Sequence, residues 1–171
     1  MSVAVSQAQP TLNGFTPSWT DIKTTFEVDG GETVADVDYS DIKHATKVSV
    51  GEQRGPSGGR VMRRTTGSKT LTAAATFYQD GLEKLQSALA SSPLAVTRGD
   101  EVDVSTVPFD ILIMWSMPGD AQIRQVRLLG CRLLGDDATY TEGDEPNKSA
   151  VDLNPISIGR WNEAAGKWIT L

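Results

Sequence analysis

Hydrophobic and polar residues alternate with a period of two along most of this chain, the pattern of half-buried β-strands. The strictest run puts Phe109, Ile111, Ile113, Trp115 and Met117 on one face and Asp110, Leu112, Met114 and Ser116 on the other. Ile22, Thr24, Phe26 and Val28 mark an earlier strand, closed by Asp29-Gly30-Gly31, where glycine accepts the positive φ of a tight reversal. Thr33 to Tyr39 resumes the alternation only approximately, and Ile42 to Val50 forms a further strand. In Lys69 to Tyr78, Leu71, Ala73, Ala75 and Phe77 face one way and Thr70, Thr72, Ala74 and Thr76 the other. Small residues on both faces leave room for another layer or another subunit. After the turn Met117-Pro118-Gly119-Asp120, a long strand returns from Ala121 to Leu134. Val151 to Ile158 reads as a last strand, interrupted by Pro155 and therefore at an edge or bulge.

Only one stretch departs from this period in favour of a helix. Leu82, Leu85, Ala88 and Leu89 recur at three and four residues over about 80–91. Asp80 is placed to cap the start and Pro93 forbids continuation. The expected fold is mainly β: two packed antiparallel sheets, a β-sandwich or half-barrel, flanked by that helix. Leu94 to Thr106 reads as a loop with a short strand. Residues 1–18 read as a lead-in broken by Pro10, Gly14 and Pro17. Residues 1–158 form the expected domain and 159–171 an extension, whose Trp161 and Trp168 should pack on this or a neighbouring subunit.

Between the strands, residues 51–68 contain Gly51, Gly55, Gly58, Gly59, Gly67 and Pro56 and read as a flexible arm loop. Charge makes this arm distinctive. From Gly51 to Lys69 five basic residues, Arg54, Arg60, Arg63, Arg64 and Lys69, meet the single acid Glu52. The stretch carries a net +4 on a chain of net −6, which leaves −10 elsewhere. A basic arm on an acidic body is self-complementary when copies meet, and such pairing sets register more than affinity. The arm is therefore either solvated or docked, with Arg54, Arg60, Val61, Met62, Arg63, Arg64 and Lys69 as contact candidates. Asp136, Asp137, Glu142, Asp144 and Glu145 are the acceptor candidates.

Composition narrows the function classes. At 171 residues, 39% hydrophobic and 22% charged, the chain is an ordinary globular domain with a sizeable core. Its acidity argues against a protein that grips nucleic acid. No apolar run of membrane-spanning length occurs, and the start MSVAVSQAQP lacks the pattern of a secretory signal. Cys131 is the only cysteine, which suits a reducing compartment of synthesis and reads as a small buried hydrophobe.

Catalytic arrangements fail for want of residues. His44 is the only histidine, so a second histidine is unavailable for any nucleophile pair, and zinc lacks ligands. Gly67-Ser68-Lys69-Thr70 departs from a phosphate-binding loop, because serine intervenes before the lysine and a strand follows. The acidic segment 136–145 lacks the ligand alternation and closing glutamate of a calcium loop. No cofactor is expected and no enzyme.

The order and texture of three runs carry a resemblance: YSDIKHATKVSVGEQRGPSGG, TLTAAATFYQDGLEKLQSAL and FDILIMWSMPGD with the later VRLLGCRLLGDDATYTEGDEPN and VDLNPISI. Over roughly 15–158 the chain resembles bacteriophage tail tube proteins, relatives of the type VI secretion tube protein. The resemblance implies a virion protein, made in the host cytoplasm, that assembles as hexameric rings stacked into a hollow tube. It implies that subunit strands join into one barrel, that the 51–68 loop reaches a neighbouring ring, and that an acidic lumen lets DNA slide. The implied partners are other copies, the baseplate or hub, tape measure, tail terminator and a sheath, with DNA passing transiently. Rival readings are the tube of a contractile injection system delivering effectors, a tail terminator and a head decoration protein.

Overall fold

The computed structural model describes residues 22–29, 33–34, 37–54, 61–116, 122–140, 142 and 146–170. The turns expected at 29–31 and 117–120, and the lead-in 1–18, lie wholly or partly outside them.

Two antiparallel sheets follow from the alternating runs. A six-stranded sheet has the order β12-β11-β8-β7-β1-β2, built from Ile22–Val28 (β1), Thr33–Val34 (β2), Phe109–Ser116 (β7), Ile123–Cys131 (β8), Ser157–Asn162 (β11) and Lys167–Ile169 (β12). A four-stranded sheet has the order β3-β4-β10-β9, from Tyr39–Arg54 (β3), Val61–Tyr78 (β4), Asp137–Thr139 (β9) and Lys148–Asp152 (β10). Val96–Arg98 (β5) and Glu101–Asp103 (β6) make a separate hairpin turning at Gly99, φ 63°.

The core lies where the sheets face one another. Phe26 of β1, Phe77 of β4 and Phe109 of β7 are buried, with ring centroids 5.9 Å (Phe26–Phe77) and 6.4 Å (Phe26–Phe109) apart. Ala73 and Ala75 join them from β4, Ile111 from β7, Val126 and Leu128 from β8, Val151 from β10 and Ile158 from β11. The apolar phase read from the sequence is thus the inward phase.

The helix α1 (Gln79–Ala90) buries Leu82, Leu85 and Leu89 against the same core. Asp80 does not cap it. The helix begins one residue earlier, with Tyr78 at the cap position and no side-chain capping bond. The reason is that β4 runs directly into α1: Tyr78 N donates to Asp38 O at 3.2 Å and Gln79 N to Asn147 O at 3.3 Å. Neighbouring backbone thus satisfies two of the amide donors that a helix start leaves without a partner inside the helix.

The expected single strand from Val151 to Ile158 is two strands in different sheets. Lys148–Asp152 belongs to the four-stranded sheet and Ser157–Asn162 to the six-stranded one. Between them Leu153 N donates to Ala73 O and Ile156 N to Leu129 O, so the chain crosses from sheet to sheet. Asn154, at φ 34°, and Pro155, which has no N–H to give a ladder, mark that crossing. Residues 159–169, read as lying beyond the domain, continue the six-stranded sheet as the end of β11 and β12. There Trp161 and Trp168 pack edge to face at 5.5 Å, and the Arg127 guanidinium sits 4.3 Å over the Trp168 ring. No helix among the described residues is long and apolar enough to cross a membrane.

Gly81 fixes how closely α1 sits on the chain before β3. A Cβ there would lie 2.1 Å from Asp38 O and 2.6 Å from Asp38 N. Alanine in a helix interior normally gains about 1 kcal/mol over glycine. Here the backbone contact reverses the sign, and Gly81→Ala should cost roughly 1–3 kcal/mol in urea denaturation, as overpacking does. A stabilised variant would show that the helix can move away freely.

Candidate assembly surfaces

The described parts of the arm, residues 51–54 and 61–68, form a paired ribbon, where the sequence suggested an open, flexible loop. β3 and β4 pair from Tyr39↔Phe77 out to Arg54↔Val61, whereas β10 reaches β4 only over Ala74–Tyr78. Beyond that, the two strands project as a two-stranded antiparallel ribbon. Valines and threonines supply β-propensity, and two of the glycines serve close approach. A Cβ at Gly67 would lie 2.7 Å from Ser49 O, and one at Gly51 would lie 2.5 Å from Thr65 Oγ1. Ser49 Oγ donates to Ser68 O at 3.2 Å beside the register shift between Val48 and Val50.

Arg63 pairs across from Gln53 and Arg64 from Glu52, so the arginines occupy opposite faces of the ribbon. Glu52 takes both Arg54 at 3.7 Å and Arg64 at 3.6 Å in exposed ion pairs, which hold little energy. Val61 lies at the distal end of β4 and Lys69 near its middle, while Met62 is described only in its backbone. Arg60, Asp144 and Glu145 lie outside the described residues.

The acceptor candidates stand elsewhere. Asp136 and Asp137 are exposed at the start of β9, and Glu142 is exposed beyond it. β9 and β3 form opposite edges of the four-stranded sheet, and among the described residues neither aspartate forms an ion pair with the ribbon. Arg54 and Arg64 share Glu52 while Arg63 stands on the other face, and Asp136 and Asp137 stand on the opposite edge of the sheet.

The face of the four-stranded sheet turned away from the core is polar. Register places Thr70, Thr72, Ala74 and Thr76 along its middle, flanked by Lys43, Lys47 and Lys148 and by Asp41, Asp137 and Asp152. Lys43 Nζ lies 3.0 Å from Asp41. A hydrogen bond from Thr76, and then Lys43, holds the Asp41 carboxyl below its ordinary value.

Sequence reasoning missed a cleft at the β3 side of the sandwich. It has a volume of about 550 Å³ and is lined by His44, Trp115, Arg124, Arg160, Trp161 and Glu163, among others. Arg124 stands opposite Trp115, and Arg160 opposite Val126. Both arginines are in phase with core positions of their strands, Val126 and Leu128 on β8 and Ile158 on β11. An arginine in an apolar phase is the signal that would have found the site. Burial, and then the Arg160 charge, depresses the pKa of His44. Cys131 is buried, and desolvation followed by the Asp110 charge pushes its thiol up to about 12, as expected of an inert core residue.

No family model matches the chain and no curated protein matches it in sequence. Solved structures do match in shape. The SPP1 tail tube superposes with a TM-score of 0.54 at 11% identity, over 86% of this chain and 80% of that one. The fold is that of tail tube proteins. The sheath/tube terminator of PVC, an extracellular contractile injection system, in its extended state, gives 0.58 at 10% identity, covering 89% of this chain and all of that one. The tube-terminating cap of the anti-feeding prophage gives 0.56 at 10% identity, over 93% and 99%. Among the described residues no group of three or more His, Cys, Asp or Glu side chains is placed to hold a metal ion.

The depressed His44 makes stability depend on pH in a defined direction. The unfolded chain takes up a proton near the ordinary histidine pKa of about 6.5, and the folded chain only at lower pH. Unfolding is therefore favoured as pH falls through that value. Thermal melts from about pH 7.5 to 5.5 should show a steeper loss for the wild type than for His44→Gln. Equal slopes would remove His44 from that account.

Proposed function

We propose that this chain is a structural particle protein that assembles as stacked rings into a hollow tail tube, through which phage DNA passes. The observation that carries the reading is the free outer side of β3. Among the described residues this sixteen-residue strand pairs only with β4. It offers a row of backbone groups about 50 Å long to another chain. A soluble monomer would need to blunt such an edge. Ring closure covers it instead, by laying the next subunit's sheet alongside.

Two further features support the reading. The threonine-rich outer face of the four-stranded sheet would line the conduit when such sheets join edge to edge. Its lysines and aspartates are balanced, so in this reading the wall is neutral overall rather than acidic. It lacks the uncompensated cationic row that would hold phosphates. The ribbon, with Arg54, Arg63, Arg64 and Lys69 exposed on it, reaches along the tube to a neighbouring copy. Partners at the tube ends would be baseplate, terminator and sheath proteins, and the tape measure would occupy the tube before DNA.

The shape similarity to the PVC sheath/tube terminator and the anti-feeding prophage cap favours a second reading, a ring that ends a tube. Electron microscopy of the purified chain separates the two: the tube reading expects hollow filaments of stacked rings, the terminator reading single rings that never stack. Arg60→Ala, Arg63→Ala and Arg64→Ala combined should leave a folded subunit, with an unchanged circular dichroism spectrum, but shorten the tubes. Tubes of normal length from that variant would remove the ribbon from assembly.

A further inference from the structure

Among the described residues the hairpin β5–β6 is a sheet of its own, with both outer sides unpaired. All six residues of its strands are exposed. Register sets Val96, Arg98, Glu101 and Asp103 on one face and Thr97 and Val102 on the other. Val96 and Val102 are 40% and 41% exposed, and Leu94 at the base 46%. A two-stranded sheet with valines open on both faces is marginal in water by itself.

The base of this hairpin is fixed beside the Phe77 end of β4. Ser92 Oγ donates to Asp29 O at 3.2 Å, and Ala95 N to Ser92 O at 3.1 Å. Asp29 N donates to Pro108 O, next to Phe109, whose ring packs beside Phe26 and so close to Phe77. From Phe77 out to its far end at Val61, β4 runs roughly 50 Å. The hairpin extends only about 14 Å from its base, four residues a side. Among the described residues no ion pair joins it to the ribbon.

We propose that β5–β6 receives the ribbon of a second copy of this chain, Arg63 and Arg64 pairing with Asp100 and Glu101. The inference rests on the self-assembly reading and assigns its end-to-end contact. Charge carries the first part. Over 98–103 one arginine, Arg98, meets three acids, Asp100, Glu101 and Asp103, a net −2. Ser105 engages the Asp103 carboxylate, through Oγ at 2.6 Å and N at 3.0 Å. Asp100 and Glu101 form no ion pair among the described residues, and neither does Arg63, while Arg64 shares Glu52 with Arg54. On a chain of net −6, an acidic hairpin is repelled by most of another copy and attracted by its 51–69 stretch at +4.

Apolar exposure and geometry carry the rest. Val48 and Val50 stand 42% and 54% exposed on the ribbon, apolar surface to match Leu94, Val96 and Val102 on the hairpin. The two surfaces are unlike and lie far apart on one subunit. A contact between them repeats from copy to copy in a line, which stacks subunits end to end.

Reversing and exchanging charge in the full-length chain tests this. Arg63→Glu with Arg64→Glu in one variant, and Asp100→Lys with Glu101→Lys in another, should each raise the concentration for stacking about ten-fold. Sedimentation velocity and electron microscopy read that change. Mixed together, the two variants should stack near the wild-type concentration, because each ribbon then meets a hairpin of opposite charge. Two merely misfolded proteins cannot rescue one another. Variants that stack like the wild type, or a mixture that recovers nothing, would overturn the end contact and leave self-assembly standing. Wild-type rings that never stack would overturn it equally. A wild type that stays monomeric at every concentration would overturn the self-assembly reading and this contact with it.

Discussion

The pairing of β3 with β4 is the constraint on which the rest of this protein depends. The antiparallel pairing runs, through three register shifts, from the core at Tyr39↔Phe77 out to Arg54↔Val61. One hairpin therefore does two jobs. Its proximal half supplies Ala73, Ala75 and Phe77 to the core, and its distal half stands in solvent with almost no apolar burial of its own. An isolated two-stranded ribbon is marginal in water, so the distal half depends on the sheet behind it or on a partner in front. Among the described residues the outer side of β3 has no partner strand, and an open edge of that length is what a closed ring of subunits removes.

The core explains how the two sheets hold that hairpin. Three phenylalanines, one each from β1, β4 and β7, meet at its centre, and small alanines on β4 allow the opposite layer to come close. α1 closes one side with a leucine stripe, held close because Gly81 has no Cβ to push against the Asp38 backbone. At the β3 side no comparable element among the described residues fills the gap. Arginine and tryptophan side chains line a cleft there.

Charge is distributed with the same asymmetry. The ribbon arginines are partly neutralised by Glu52, the outer sheet face balances lysine against aspartate, and the exposed acids Asp136 and Asp137 stand on the far edge. A subunit built this way has different surfaces to left and right and along its axis. Unlike edges are what a head-to-tail contact between copies requires.

Period-two alternation by itself determined the β class, most strand positions, the inward phase and the single helix, because each is a local consequence of which side chains must leave water. Phe26, Ala73, Phe77, Ile111 and Leu128 are buried where their phase puts them. Only the tertiary structure decided the rest, for non-local reasons. Glycines at 51 and 67 read as sources of flexibility until Ser49 and Thr65 are seen packed against them. Val151 to Ile158 reads as one strand until Leu153 is found bonded to Ala73 and Ile156 to Leu129, in different sheets. The cleft needed β3, β7, β8 and β11 brought together, although Arg124 and Arg160 betrayed it by standing in an apolar phase. Local chemistry writes the strands; which edges stay open depends on partners far apart in the chain.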